Sequence, residues 1–159
     1  MTLYTATYNS PVGTIVIESN GETLTGLRFG EGKTQATSSL PIFGEVTRWL
    51  DDYFAGKQTE NAVMGAKTDG RITVRPRGTL FQQRVWQALL TIPYGKTVSY
   101  GELARMISCK SAQAVGQAVG ANPIALLIPC HRVIAANGQL GGYAYGQKIK
   151  KRLLHIEQP

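Results

Sequence analysis

Ile128-Pro129-Cys130-His131-Arg132-Val133 sets one of only two cysteines in the chain directly beside one of only two histidines. An apolar run, Ile124-Ala125-Leu126-Leu127-Ile128, leads into it. Pro129 then fixes φ and removes an N–H, so the chain must leave its extended path there. A thiol at the end of a buried segment, with an imidazole next in line, is how a nucleophilic cysteine is usually built. The plainer reading is a buried structural cysteine, since free Cys is among the most buried residue types. On the pair alone the plainer reading is the better one. Its surroundings reverse the order.

Working outward, 159 residues suffice for one good core or for two small lobes packed together. A composition 43% hydrophobic and 17% charged suits a globular chain, and no apolar stretch approaches a membrane span. The N-terminus, Met1-Thr2-Leu3-Tyr4, lacks the basic-then-apolar layout of a signal peptide. Cys109 and Cys130 give no disulfide framework and point to a reducing cytoplasm. Two Cys and two His at these spacings also build no zinc site, so no metal is expected. The net charge of +7 is lopsided. Residues 1–78 hold eight Lys/Arg and eight Asp/Glu, whereas residues 79–159 hold nine Lys/Arg against Glu102 and Glu157. A basic half beside a neutral half fits a polyanion partner for the second half, although a solvated surface would carry the same sign.

Residues 2–29 read as an antiparallel meander, with strands near 2–8, 14–18 and 24–29 separated by Asn9–Gly13 and Ser19-Asn20-Gly21. A polar loop follows from Gly30 to Ser39. From Pro41 to Ala55, Val46, Trp49, Leu50, Tyr53 and Phe54 fall at helical spacing, a pattern that signifies core rather than chemistry. Residues 57–78 hold no periodicity and read as the linker between lobes, with a short strand at Ile72-Thr73-Val74. Thr79 with Gln82 and Ser99 with Glu102 are capping boxes that open two helices. A third helix starts near Ser111 and ends at Gly120-Ala121-Asn122-Pro123. Two short helices joined by Ser108-Cys109-Lys110 in the basic half make a helix-turn-helix candidate. The second of them carries no Lys or Arg and is nearly all Ala, Gly and Gln. Such small residues suit either a narrow surface like the DNA minor groove or a tight helix–helix contact. The glycine-rich segment 137–146 reads as a loop folding over a pocket. A last helix turns Ile149, Leu153, Leu154 and Ile156 inward and Lys148, Lys150, Lys151 and Arg152 mostly outward. Glu157, at its end, is the best carboxylate in this half to orient His131.

Thr79-x-Phe81-Gln82, Val85-Trp86, Ile92-Pro93-x-Gly95, Ser99-Tyr100, Ala114-Val115-Gly116, Asn122-Pro123, Ile128–Val133 and Gly142-Tyr143 stand together in a familiar order and spacing. From about Gly78 to Glu157 the chain resembles the O6-alkylguanine-DNA alkyltransferases (methylated-DNA–protein-cysteine methyltransferases). The resemblance implies an α/β (α+β) fold, with an N-terminal lobe of small sheet plus helix (1–77) and a mostly helical C-terminal domain (78–159). It implies a single-turnover DNA repair protein that needs no cofactor, acts as a cytoplasmic monomer and binds duplex DNA carrying O6-alkylguanine or O4-alkylthymine. Its helix-turn-helix would enter the minor groove, and the damaged base would be flipped out because its O6 is unreachable in the stack.

By the same resemblance Cys130 attacks the alkyl carbon and keeps the group as a thioether. His131 draws off the proton, Glu157 holds the imidazole, and Asn122 braces the junction before the cysteine. Tyr100, Tyr143, Tyr145 and Val133 would contact substrate. Ala112, Gln113, Ala114, Gly116 and Arg132 would contact DNA. Two positions depart from the family: Gln113 stands where Arg is frequent, and Tyr145 where Gly is usual. The zinc-binding residues of some relatives' first lobe are missing. Two other classes compete. A non-catalytic damage-sensing module would replace Cys130, and a cysteine hydrolase would leave the basic helix pair unexplained.

Overall fold

Segments rich in β-branched, aromatic and aliphatic residues, broken by turns, form three antiparallel strands, β1 (Tyr4–Ser10), β2 (Gly13–Ser19) and β3 (Leu24–Phe29). The computed structural model describes residues 3–32, 40–65 and 70–158, so positions 33–39 of the polar loop and Lys67 of the linker lie outside the described residues. β1 and β2 pair from Tyr4↔Ser19 to Ser10↔Gly13. Helix α1 (Pro41–Phe54) starts with Pro in its first turn, where the missing N–H costs nothing, and buries Ile42, Phe43, Val46, Leu50 and Tyr53.

The stretch 57–78 is more than a linker. It supplies β4 (Val63–Met64) and β5 (Thr73–Val74), which complete a five-stranded sheet in the order β1-β2-β3-β5-β4. Both new pairings are parallel. Two-residue strands leave no alternation to read, which is why only the Ile72–Val74 segment is visible in the sequence.

Both capping boxes form. Thr79 opens α2 (Leu80–Leu89) and Ser99 opens α3 (Tyr100–Met106), each with its side chain and that of the third residue on satisfying two orphan N–H groups. Ser111 caps α4 (Ala112–Gly120). The Trp86 indole donates to Ala118 O at 2.8 Å, which fixes α2 against α4. A short parallel pair joins β6 (Val98–Ser99), just before α3, to β7 (Val133–Ile134), just after the Cys130 turn, and α5 (Gln147–Ile156) follows.

The apolar run before Cys130 is laid along the sheet. Leu27 N donates to Pro123 O at 3.0 Å, Ala125 N to Leu27 O at 2.9 Å, and Ala62 N to Leu127 O at 3.3 Å. Every residue from Ile124 to Ile128 is fully buried. Leu126 holds φ at +68°, a left-handed conformation that costs an ordinary residue about 1–2 kcal/mol. The surrounding core holds it there. One hydrophobic core thus joins the sheet, α1 and the helices of the second half.

Candidate active site

Cys130, His131 and Arg132 form a single 3-10 turn after Pro129, and all three are buried. Glu157 follows the last residue of α5 and is 2% exposed. Its Oε2 lies 2.5 Å from His131 Nε2 and accepts from the Tyr53 hydroxyl at 2.7 Å. Its Oε1 accepts from Arg132 Nε at 2.8 Å and from Gly95 N at 3.1 Å. Arg132 also donates to Asn61 Oδ1 and Ile92 O. Burial on its own would raise the Glu157 pKa, but the hydrogen bonds and charges of His131 and Arg132 pull it down to about 2.

An ionised Glu157 fixes the histidine tautomer. Nε2 carries the proton toward the carboxylate, and Nδ1 keeps its lone pair. Nδ1 is buried and without a hydrogen-bond partner among the described residues. Burial lowers the His131 pKa below its ordinary value, so the ring is neutral at pH 7 and can accept a proton. The Cys130 thiol is pushed up by burial, while Asn122, Lys150 and Tyr143 beside it pull the other way. The thiol therefore needs a base.

Asn122 donates its amide to Ile128 O at 2.8 Å and accepts from Ile124 N at 3.0 Å, pinning both ends of the apolar run. Cys130 opens into a cavity of about 240 Å³ lined by Tyr100, Gly116, Val119, Gly120, Asn122, Gly142, Tyr143, Ala144 and Tyr145. The Tyr143 hydroxyl is buried there without a partner among the described residues. Tyr145 packs edge-on against Phe29 at 5.2 Å and Tyr143 at 5.5 Å, so the sheet supports the cavity wall. Gly141 holds φ at +72°, and a Cβ there would stand 3.2 Å from the Tyr100 ring, so the loop needs glycine at this point. A wider hollow of about 380 Å³ between Glu22, Glu45 and Arg71 holds neither thiol nor imidazole. Among the described residues no three His, Cys, Asp or Glu side chains group to hold a metal.

Of the residues expected at the site, Cys130, His131, Glu157, Asn122, Tyr100, Tyr143 and Tyr145 are brought together. Gly116 also faces the cavity, while Ala112 and Gln113 are exposed on α4 and Ala114 is half-buried. Three expectations need correction. Arg132 is fully buried against Glu157 and Asn61, so it cannot touch DNA. Val133 is fully buried in β7 and does not line the cavity. Lys150 does not point outward: it is fully buried, and its ammonium donates to Val133 O at 2.6 Å and Gly142 O at 2.9 Å. Burial lowers its pKa to about 8. Tyr53, Asn61 and Lys150 are site residues that no motif signalled. Tyr53 and Lys150 carry ordinary helical spacing, and Asn61 stands in aperiodic chain.

The model of the 6-O-methylguanine DNA methyltransferase DNA-binding domain matches residues 80–159, and that of the ribonuclease-like domain of the same proteins matches residues 3–63. The chain belongs to the methylated-DNA–protein-cysteine methyltransferase family. A methyltransferase of this name from Mycobacterium bovis is 45% identical over 158 residues, covering 96% of this chain and 90% of the relative. One from Methanosarcina acetivorans is 42% identical and covers 98% of both chains. The Mycobacterium tuberculosis OGT solved in complex with DNA matches with a TM-score of 0.83 and 44% identity, over 98% of this chain and 92% of that one. As a methylated-DNA–protein-cysteine methyltransferase the protein is an enzyme of mixed α+β fold.

Proposed function

We propose that Cys130 is the acceptor thiol, and that the protein repairs O6-alkylguanine in duplex DNA by a single, irreversible transfer. One observation carries this reading. A buried thiol opens into a tyrosine-lined cavity, beside a neutral histidine whose Nδ1 is free among the described residues and whose Nε2 is held by an ionised carboxylate. His131 Nδ1 takes the thiol proton, directly or through a water. The thiolate attacks the O6 alkyl carbon; the S–C bond forms as the C–O6 bond breaks, and the electron pair stays on the guanine. The unpartnered Tyr143 hydroxyl meets the charge that grows there. A proton returned from His131 neutralises the departing base. A thioether cannot be hydrolysed, so each molecule acts once.

The α3–α4 pair serves as the DNA-binding helix-turn-helix. Ala112, Ala114 and Gly116 let α4 approach the minor groove, Gln113 fills the hole left by the flipped base, and Tyr100 crowds the phosphate of the flipped nucleotide. The boundary between lobes falls near residue 78, and the protein works in the cytoplasm as a monomer. The described helices include none long and apolar enough to cross a membrane. The test is a pair of variants. Cys130→Ala should lose transfer from O6-methylguanine duplex and keep DNA affinity, while Cys109→Ala keeps both. Methyl recovered on Cys109 would overturn the assignment.

A further inference from the structure

We infer that Tyr53, from the N-terminal half of the chain, is a positioning residue of the alkyl-transfer site, holding Glu157 so that His131 keeps its Nδ1 lone pair free to accept a proton. The inference rests on the assignment of His131 as the base. The helical spacing of Val46, Leu50 and Tyr53 turns all three to the inner face of α1, where each is fully buried. The Tyr53 ring is clamped: it stacks on Trp49 at 5.3 Å and meets Phe54 edge-on at 5.2 Å. Packing therefore aims the hydroxyl without further loss of rotamer freedom. That hydroxyl donates to Glu157 Oε2 at 2.7 Å, the oxygen that faces His131, and lies 3.4 Å from His131 Nε2 itself.

A core tyrosine need not end on a catalytic carboxylate. Burial and the neighbouring Glu157 raise the Tyr53 pKa far above its ordinary value, so the phenol is a permanent donor. Sharing Oε2 among His131, Tyr53 and Arg132 Nη2 draws electron density from the carboxylate and weakens its hold on an imidazolium. The groups facing the pair are Arg132 from the reactive turn, Lys150 from α5, Tyr94 after α2, and Tyr53. Arg132 and Lys150 are cations that already disfavour protonation of His131. Tyr53 works in the same direction from the opposite lobe. The sheet-and-helix half thereby joins the chemistry as well as the scaffold.

Tyr53→Phe removes one oxygen and keeps the ring. With Oε2 left to His131 and a distant Arg132 Nη2 at 3.3 Å, the imidazolium is better stabilised. The acidic limb of the rate profile should move up by about half to one pH unit. Transfer from O6-methylguanine duplex should fall by about three- to tenfold at pH values below the wild-type inflection and hold its rate at pH 9, with DNA affinity unchanged. The same profile is read without DNA by iodoacetamide capture of Cys130 in a Cys109→Ser background. If the wild type fails to take a methyl group while the iodoacetamide profile still shifts, the repair reading falls and the role of Tyr53 stands. A ring-fluorinated tyrosine introduced at position 53 alone, isosteric and a stronger donor, should move the limb to lower pH. Phe54→Leu, which loosens the same packing without touching the hydroxyl, should leave the limb in place. An unshifted iodoacetamide limb in the fluorinated protein, or an equal shift in Phe54→Leu, would overturn the inference.

Discussion

Glu157 gathers five hydrogen bonds on two oxygens, from His131, Tyr53, Gly95 and twice from Arg132. Its replacement is therefore a test of the whole network. Glu157→Gln leaves Arg132 buried and uncompensated, which should cost about 3–5 kcal/mol in a denaturant titration. The pH dependence has a definite sign. The folded pKa of about 2 is below the ordinary 4.5, so the carboxylate's stabilisation is complete above about 4.5 and is lost as pH falls toward 2. Unfolding followed against pH should show stability falling more steeply across that window in the wild type than in Glu157→Gln, where Glu102, held below its ordinary value by Ser99, still titrates. Tyr145 is testable by substrate size. Its ring lines the cavity, wedged between Phe29 and Tyr143. Tyr145→Gly should raise the rate on O6-benzylguanine by roughly ten- to a hundredfold and barely change methyl repair; a fall on benzyl would mean that the ring stacks on the adduct. At this scale the sequence reveals the thiol, its neighbouring imidazole and the bracing Asn122, because all three sit in one contiguous stretch. It hides the side to which Arg132, Val133 and Lys150 turn. A 3-10 turn and the last helix set those directions through packing, and nothing in their residue types marks Tyr53 as a partner of Glu157 or Asn61 as a partner of Arg132.

Helices α3 and α4 are legible in the sequence because their ends are local chemistry. Ser99 and Ser111 each cap through their own hydroxyl within three residues. Ser99→Ala should destabilise the protein by about 1 kcal/mol in thermal unfolding. The strands β4 and β5 are the opposite case. Each has two residues, and the parallel pairing that joins them to the meander, Leu24 with Val74, spans distant parts of the chain, so no local pattern encodes them. Gln113 is exposed in the first turn of α4, free to reach a partner. An amide there lacks the charge and planar fork of Arg. Gln113→Arg should raise the repair rate on duplex DNA more than on free O6-alkylguanine. Equal gains on both would show that the side chain does not act as a plug.

Over the whole molecule, the basic half is less basic at its surface than its composition suggests. Arg132 and Lys150 are buried, which leaves Arg84, Lys96, Arg105, Lys110, Lys148, Lys151 and Arg152 exposed. If these contact phosphates, log affinity for duplex should fall linearly with log salt, by roughly 0.9 per phosphate neutralised. A flat response would make the charge a solvated face. The two halves are joined more closely than a linker reading of 57–78 implies. The backbone of β3 and Ala62 stitches down the run before Cys130, and Phe29 backs the pocket wall. Sequence periodicity cannot show this, because contacts between distant segments have no period. The central claim is stoichiometric transfer to one thiol, and intact-mass analysis with excess O6-methylguanine duplex tests it most directly. Each molecule should gain a single methyl group, on the peptide that holds Cys130, and then stop. Repaired DNA in excess of protein, or protein that stays unmodified while the DNA is repaired, would contradict it.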